Sequence, residues 1–173
     1  MKLMQLSFFN LFKSKKPQKK KRAPTRSPKK RTERSDEFLK SIWDKLWMEY
    51  FPTRNDLAAY TIRWSNRRQK RTLASCSLEN RRIVVAQELN HPKYSMHLEP
   101  LIYHEMCHAV LGYEVSQSGE KRLWHGPEFK RLERHHPGIK TLDKWIHTGG
   151  WLSAVRAHRA REAHKKRKFQ DVA

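Results

Sequence analysis

The chain has 173 residues, which leaves room for one compact domain with flanking tails and little more. Its 38 lysines and arginines outnumber the 17 aspartates and glutamates, and the formal charge of +21 predicts binding to polyanions, with nucleic acid ahead of an anionic membrane surface. Two cysteines without a C-x-x-C pair exclude a disulfide framework and fit a reducing compartment, and no apolar run approaches the roughly 20 residues that span a bilayer.

The first 34 residues are predicted to form a disordered basic arm. From Lys13 to Arg34 the chain consists mostly of lysine, arginine, proline, serine and threonine, with Glu33 as its one acid. Such a segment cannot bury enough apolar surface to offset the loss of chain entropy on folding. Its basic clusters at 19–22 and 29–31 are typical of arms that bind nucleic acid or of nuclear import signals, and a solubilising tail is the alternative.

Ordered structure is predicted to begin near Ser35, and helices and strands then follow in an α+β pattern. Ser35 is placed to cap a first helix, which Pro52 ends because the residue before a proline disfavours the helical conformation. Apolar and polar residues alternate over 60–64, and two further strands at 72–77 and 82–86 are predicted to form a hairpin. We expect these strands to make a short antiparallel sheet.

The clearest helix is predicted over Glu99–Tyr113, where apolar residues recur at helical spacing and Gly112 marks the end. The sheet should pack on this helix. Two more helices are predicted, a short one over 127–135 with Pro127 in its first turn and a basic one over 151–168. The fold class is therefore α+β, a small domain between flexible basic tails.

An H-E-x-x-H motif, His104-Glu105-Met106-Cys107-His108, lies within the clearest helix. Residues four apart share one helical face, so both imidazoles can reach one metal ion. Glu105 lies on the adjoining face, where its carboxylate can accept a proton from the attacking water. This division of roles suits hydrolysis at zinc, which lowers the pKa of a bound water to about 7. The alternative is a pair of histidines that only pack in the core.

A catalytic zinc site takes three protein ligands and keeps one open position. We predict His125 as the third ligand, because it follows His108 by a loop long enough to turn back and directly precedes Gly126 and the helix that starts at Pro127. Glu128 is the runner-up. The other histidines that the pattern leaves open are His97, His135, His136 and His147.

The order of these elements resembles the SprT-like zinc metallopeptidases, a family that includes the DNA–protein crosslink protease Spartan. The most specific parts of the resemblance are the H-E-M-x-H-A stretch at 104–109 and the H-G-P-E-F stretch at 125–129, in that order. The resemblance covers roughly 35–151. It departs from many relatives in one respect: no cysteine follows Cys107 in this sequence, so we expect it to be without their C-terminal zinc ribbon.

The resemblance implies a compact α+β peptidase domain with one zinc ion, which His104, His108 and His125 bind, and with Glu105 as the general base. It also implies cleavage of proteins bound to DNA. The predicted organisation is a basic arm over 1–34, the peptidase domain over 35–152 and a basic C-terminal helix or tail over 153–173.

If the zinc ribbon of the relatives serves to select DNA, the basic segments of this chain are our candidates for a substitute. Trp64 lies beside one of them and could stack an unpaired base, but a core position is the favoured interpretation. The candidate contacts are Lys19, Lys20, Lys21, Arg22, Lys29, Lys30, Arg31, Arg67, Arg68, Lys165, Lys166, Arg167 and Lys168.

Two other functions fit the same sequence. One is a non-catalytic nucleic-acid-binding protein with a structural zinc site, and the other is a peptidase that acts on free or misfolded protein. We expect a monomer in the cytoplasm, associated with the nucleoid in a bacterium, or in the nucleus of a eukaryote.

Overall fold

A computed structural model describes residues 34–118 and 125–170. The elements follow one another as a helix, a small sheet and then four more helices, with short 3-10 helices at 55–59, 87–89 and 92–94 as connections. The helices within these residues are α1 (Asp36–Tyr50), α2 (Ser95–Ser118), α3 (Pro127–Glu133), α4 (Ile139–His147) and α5 (Gly150–Gln170), and the strands are β1 (Thr61–Trp64), β2 (Ala74–Ser77) and β3 (Arg82–Val85).

The start of α1 is fixed by the end of β1. Ser35 stands at the N-cap as predicted, but its hydroxyl makes no capping bond to the helix. Instead, the backbone oxygen of Ser35 accepts a hydrogen bond from the indole Nε1 of Trp64 at 3.2 Å, and Asp36 Oδ1 accepts one from the backbone amide of Trp64 at 2.9 Å. Trp64 is fully buried by these contacts, which confirms its core position and excludes the base-stacking alternative.

The α+β class is confirmed, but the sheet is mixed rather than antiparallel throughout. β3 lies between the other two strands, antiparallel to β2 and parallel to β1. The predicted hairpin is present, with Ser77 opposite Arg82. β3 takes the central place because its Ile83 and Val85 are fully buried, and a strand flanked on both edges suits such residues. One edge of β2 is thereby left to face α2.

The central helix α2 is longer than predicted and does not end at Gly112. It runs from Ser95 to Ser118 and contains Pro100. Gly112 does not end the helix but lets Leu78 of the hairpin loop pack directly against α2. A Cβ at position 112 would lie 2.2 Å from Leu78 Cδ1. A glycine that fills a packing role gives the same sequence signal as a C-terminal cap, which explains the error.

The last helix begins inside the folded core. Trp151, Ala154, Val155 and His158 of α5 are buried, and the Trp151 indole donates to the backbone oxygen of Lys70 at 3.2 Å. The basic second half of α5 is exposed. In the part of the chain described, no helix combines the length and the apolar character needed to cross a membrane.

The predicted N-terminal arm lies outside the described residues, apart from Arg34. The backbone amide of Arg34 donates to Asn90 Oδ1, and Asn90 Nδ2 donates to the backbone oxygen of Arg34, both at 3.0 Å. Asn90 itself is buried. Arg34 is thus attached to the connection that leads into α2.

Candidate metal centre

The two histidines of the motif lie on the same face of α2. The centroids of the His104 and His108 rings are 5.0 Å apart. This part of α2 is helical because its other faces carry apolar side chains that the core buries, namely Leu101, Ile102, Met106, Ala109 and Val110. The imidazoles therefore project from the edge of a rigid, packed helix.

His125 joins these two rings from outside α2. Its Nε2 lies 3.1 Å from His108 Nε2, and the ligand atoms of the three histidines all lie within 4.8 Å of one another. Gly126 forms the N-cap of α3 and Pro127 follows at its first position, so the helix starts directly after the histidine. The cluster of His104, His108 and His125 could hold a metal ion.

Phe129 forms an apolar wall behind the three histidines. Its ring centroid lies 5.0 Å from that of His104, 4.5 Å from that of His108 and 4.8 Å from that of His125. Phe129 is itself buried. Because the Phe129 ring packs against all three imidazoles, it limits their orientations and favours those in which the imidazoles face one another.

Glu133 contacts the cluster and was not predicted from the sequence. Its Oε1 lies 2.6 Å from His104 Nδ1. An ionised carboxylate can only accept, so Nδ1 carries the proton and Nε2 can face the other histidines with its lone pair. A signal for this contact exists in the sequence, because Glu133 follows Phe129 by four residues and shares its helical face.

Glu105 is buried between α2 and the edge of β2. Burial raises the pKa of its carboxyl to about 7, while the charge of His104 and a hydrogen bond from the backbone amide of Cys76 act in the opposite direction. The Cys76 contact fixes the carboxylate to the β2 edge. A carboxyl group with a pKa near neutrality can both accept and release a proton, as a general base must.

The surroundings of the three histidines shift their pKa values in different directions. Burial, followed by the charges of the other two rings, lowers the pKa of His108 to about 3, and burial likewise lowers that of His125. Burial also acts to lower the pKa of His104, but the bond to Glu133 and nearby carboxylates outweigh it and raise the value overall. Neutral imidazole is the form that binds metals, and burial favours this form in His108 and His125.

The remaining candidate ligands have other positions. The His97 ring stacks on Trp145 with centroids 4.2 Å apart, and His136 packs against Tyr103 at 5.1 Å. Within the described residues, the group that could hold an ion includes none of the other candidates, which are His97, Glu128, His135, His136 and His147.

Comparison with known protein families decides the assignment. A family model of the SprT-like family matches residues 39–141, which is more than half of the chain and includes the whole histidine cluster. The chain belongs to the SprT-like family. This SprT-like domain is of the metalloprotease type, in agreement with three histidines that could bind a metal. No curated protein and no solved structure matched the chain.

The basic candidates for nucleic-acid contact fall in two places. Those between Lys19 and Arg31 lie outside the described residues. Arg67 and Arg68 are exposed in the loop after β1, and the four at 165–168 are exposed on α5. The loop after β1 contacts α5, because the Trp151 indole donates to the backbone oxygen of Lys70 at 3.2 Å.

Proposed function

We propose that this protein is a zinc-dependent peptidase in which His104, His108 and His125 bind the metal and Glu105 is the general base. The observation that carries the proposal is the convergence of three imidazoles from α2 and the residue before α3, with their ligand atoms within 4.8 Å of one another. The buried carboxyl of Glu105 interacts electrostatically with one of them, His104. Three imidazole donors suit zinc, and a site with three protein ligands keeps a position open for chemistry. When bound, zinc supplies the Lewis acidity that activates water and polarises a carbonyl group.

The protein's own groups supply the remaining steps. Glu105 accepts a proton from the attacking water and later gives it to the amine that leaves. The Cys76 amide holds the Glu105 carboxylate in one orientation during this transfer. Phe129 restricts the access of bulk water from behind the rings, which strengthens electrostatic interactions inside the site.

Metal analysis and a peptide-cleavage assay of three proteins test this proposal. The wild type should contain one zinc per chain, and His125→Ala should lose most of it because two imidazoles remain. Glu105→Gln should keep its zinc but lose cleavage by about 10²- to 10⁴-fold, since the base is gone and the ligands are not. Unchanged zinc in His125→Ala would contradict the ligand set, and wild-type cleavage by Glu105→Gln would contradict the mechanism.

We further propose that the substrates are proteins bound to nucleic acid, with DNA favoured. Support comes from an exposed basic surface that combines the loop after β1 with α5. We call it the basic surface, and its members are Arg67, Arg68, Lys70, Arg71, Arg156, Arg159, Lys165, Lys166, Arg167 and Lys168. Binding to DNA would raise the local concentration of proteins on the same strand near the metal centre.

The same basic surface also favours a second candidate, a nucleic-acid-binding protein whose zinc site is structural. The buried carboxylate next to the histidines argues against it, because a structural zinc site has no use for an unliganded base. The two functions differ in one result. The structural role predicts zinc in the wild type without cleavage of any protein substrate, with or without DNA.

A further inference from the structure

One short helix connects the third candidate ligand with the first. His125 precedes α3, Phe129 lies in its middle against all three rings, and Glu133 is its last residue. The Glu133 carboxylate reaches back to the far nitrogen of His104, with 2.6 Å between Oε1 and Nδ1. The position of His104 therefore depends on α3 as well as on α2.

The contact between Glu133 and His104 is shielded from solvent. Their side chains are 17% and 24% exposed, well below the Lys45–Glu99 pair of the surface, whose side chains are 58% and 37% exposed. Exposed ion pairs contribute little to binding or stability, whereas a short hydrogen bond to an ionised group in a shielded place fixes geometry. An imidazole whose Nδ1 donates to a carboxylate presents the lone pair of Nε2 for a metal.

Asp143 on α4 provides an internal comparison. Its charge acts on both Glu133 and His104, and burial and then the Glu133 charge raise its pKa. No hydrogen bond joins the Asp143 carboxylate to a candidate ligand in the part of the chain that the structure describes. Asp143 thus acts on His104 through its charge, as Glu133 does, but makes no hydrogen bond to it.

We infer that Glu133 is a positioning residue of the metal centre, which holds His104 in the tautomer and orientation that turn Nε2 toward His108 and His125. This inference rests on the proposed metal centre but not on peptidase activity. It assigns to α3 a double role: one end brings a ligand, and the other end orients the ligand that α2 supplies.

Zinc affinity, measured by competition with a chromophoric chelator, tests the inference on the full chain. We expect Glu133→Ala to bind zinc about 10- to 100-fold more weakly than the wild type, as removal of such a partner usually does. Glu133→Gln should lose less, because its amide oxygen still accepts from Nδ1 but carries no charge. Asp143→Asn should stay close to the wild type, because it removes a nearby charge and leaves the bond intact.

Thermal unfolding of the metal-free proteins separates positioning from folding. The wild type and Glu133→Gln should melt together while their zinc affinities differ, because the substitution keeps the shape of the side chain. Wild-type affinity in both Glu133 variants would overturn the inference. An equal drop in affinity in Asp143→Asn would also overturn it, since the field rather than the bond would then be responsible.

Failure of the proposed function gives a different pattern. If the wild type binds zinc and cleaves nothing, while the Glu133 variants bind zinc weakly, the peptidase proposal fails and the positioning role stands. If the wild type cleaves peptides and the Glu133 variants bind zinc normally, the positioning role fails and the peptidase proposal stands.

Discussion

At the scale of single residues, four of the buried or half-buried histidines form two pairs with different surroundings. His108 and His125 face each other in the candidate metal centre, whereas His97 and His136 pack on aromatic rings elsewhere in the core. All four have pKa values lowered by burial as the first cause. Burial alone therefore does not distinguish a ligand from a packed ring, and the distinction comes from which side chains meet.

His97 offers a pH test that is independent of the metal centre. Its pKa is lowered in the folded state by burial, so acidification first protonates the unfolded chain and destabilises the fold as the pH falls below the ordinary histidine value of about 6.5. His97→Phe keeps a ring against Trp145 and removes this titration. The drop in melting temperature between about pH 7.5 and about pH 5.5 should be smaller in the variant.

Other histidines, His136 among them, keep part of this pH dependence in both proteins. The measurement is a pair of thermal unfolding curves at each pH, monitored by circular dichroism. Equal drops in the wild type and His97→Phe would show that His97 is not held neutral by the fold.

The sequence predicted the candidate ligands but not the residues that orient them. His104 and His108 follow from helical spacing, and His125 was favoured because a helix signal starts right after it. The contact of Glu133 with His104 joins residues 29 apart, and the Cys76 amide reaches Glu105 across 29 residues as well. The spacing of Phe129 and Glu133 indicates only that they share one face of α3. Which side chain or amide each group meets depends on how α3 and β2 dock against α2, and no local pattern encodes that docking.

At the scale of elements, the junction of α4 and α5 depends on two adjacent glycines with different roles. Gly149 has φ of 82°, a left-handed conformation just after the end of α4, and an added Cβ would meet nothing within 4 Å. Gly150 begins α5, and a Cβ there would lie 2.1 Å from Trp145 Nε1. The first glycine serves the turn, and the second serves the packing of an indole against the backbone.

Substitution of these glycines should separate the two roles. Gly150→Ala forces the rigid Trp145 indole off its place and should destabilise the fold by about 1–3 kcal/mol, as overpacking usually does. Gly149→Asn is the matched control, because asparagine tolerates a left-handed conformation and the space is open. Chemical denaturation measures the free energy of unfolding of both variants. A larger destabilisation in Gly149→Asn than in Gly150→Ala would contradict this division.

The elements themselves were predicted better than their arrangement. The strands and the short helix that starts at Pro127 lie near the expected positions, because alternation and helix-start signals are local. The parallel pairing of β1 with β3 was missed, since strand order depends on which strand is the most apolar and on the path of the long connection after Trp64. The continuation of α2 past Gly112 was missed because its packing against Leu78 is a tertiary contact.

At the scale of the whole molecule, the charge is large, and within the described residues part of it lies on the basic surface. The chain carries +21, and the basic surface combines cations of the loop after β1 with cations of α5, two elements that the bond from Trp151 to the Lys70 backbone joins. Local charge and total charge make different predictions about nucleic-acid binding. If total charge governs DNA binding, only the number of basic residues removed should matter. If the basic surface governs it, their position should matter as well.

Paired substitutions at matched sites distinguish these cases. Arg68→Gln with Lys166→Gln removes two charges from the basic surface, and Lys93→Gln with Lys140→Gln removes two exposed charges elsewhere. We expect the first pair to reduce the slope of log affinity for duplex DNA against log salt by about 1 for each phosphate that is no longer neutralised, and the control pair to change it little. Fluorescence anisotropy at several salt concentrations gives the slope.

The same proteins test whether substrates must be bound to DNA. Hydrolysis of free casein should be equal in both pairs, whereas DNA stimulation of cleavage should fall only in the first. Equal weakening of DNA binding by both pairs would remove the basic surface as a defined site. Casein hydrolysis that never responds to DNA would favour a peptidase for free or misfolded protein.

The candidate ligands come from two separate segments of the chain, and this has a consequence for inhibition. His108 and His125 are 17 residues apart, so an ion that binds to both would cross-link two segments of the chain in addition to any catalytic role. A covalent cross-link that closes a loop of about 15 residues removes about 3 kcal/mol of unfolded-state entropy, and a tightly bound ion acts in the same sense. An inhibitor that removes the ion would therefore lower the free energy of unfolding. An inhibitor that binds to the ion in place would block activity and leave the folded state as stable as before.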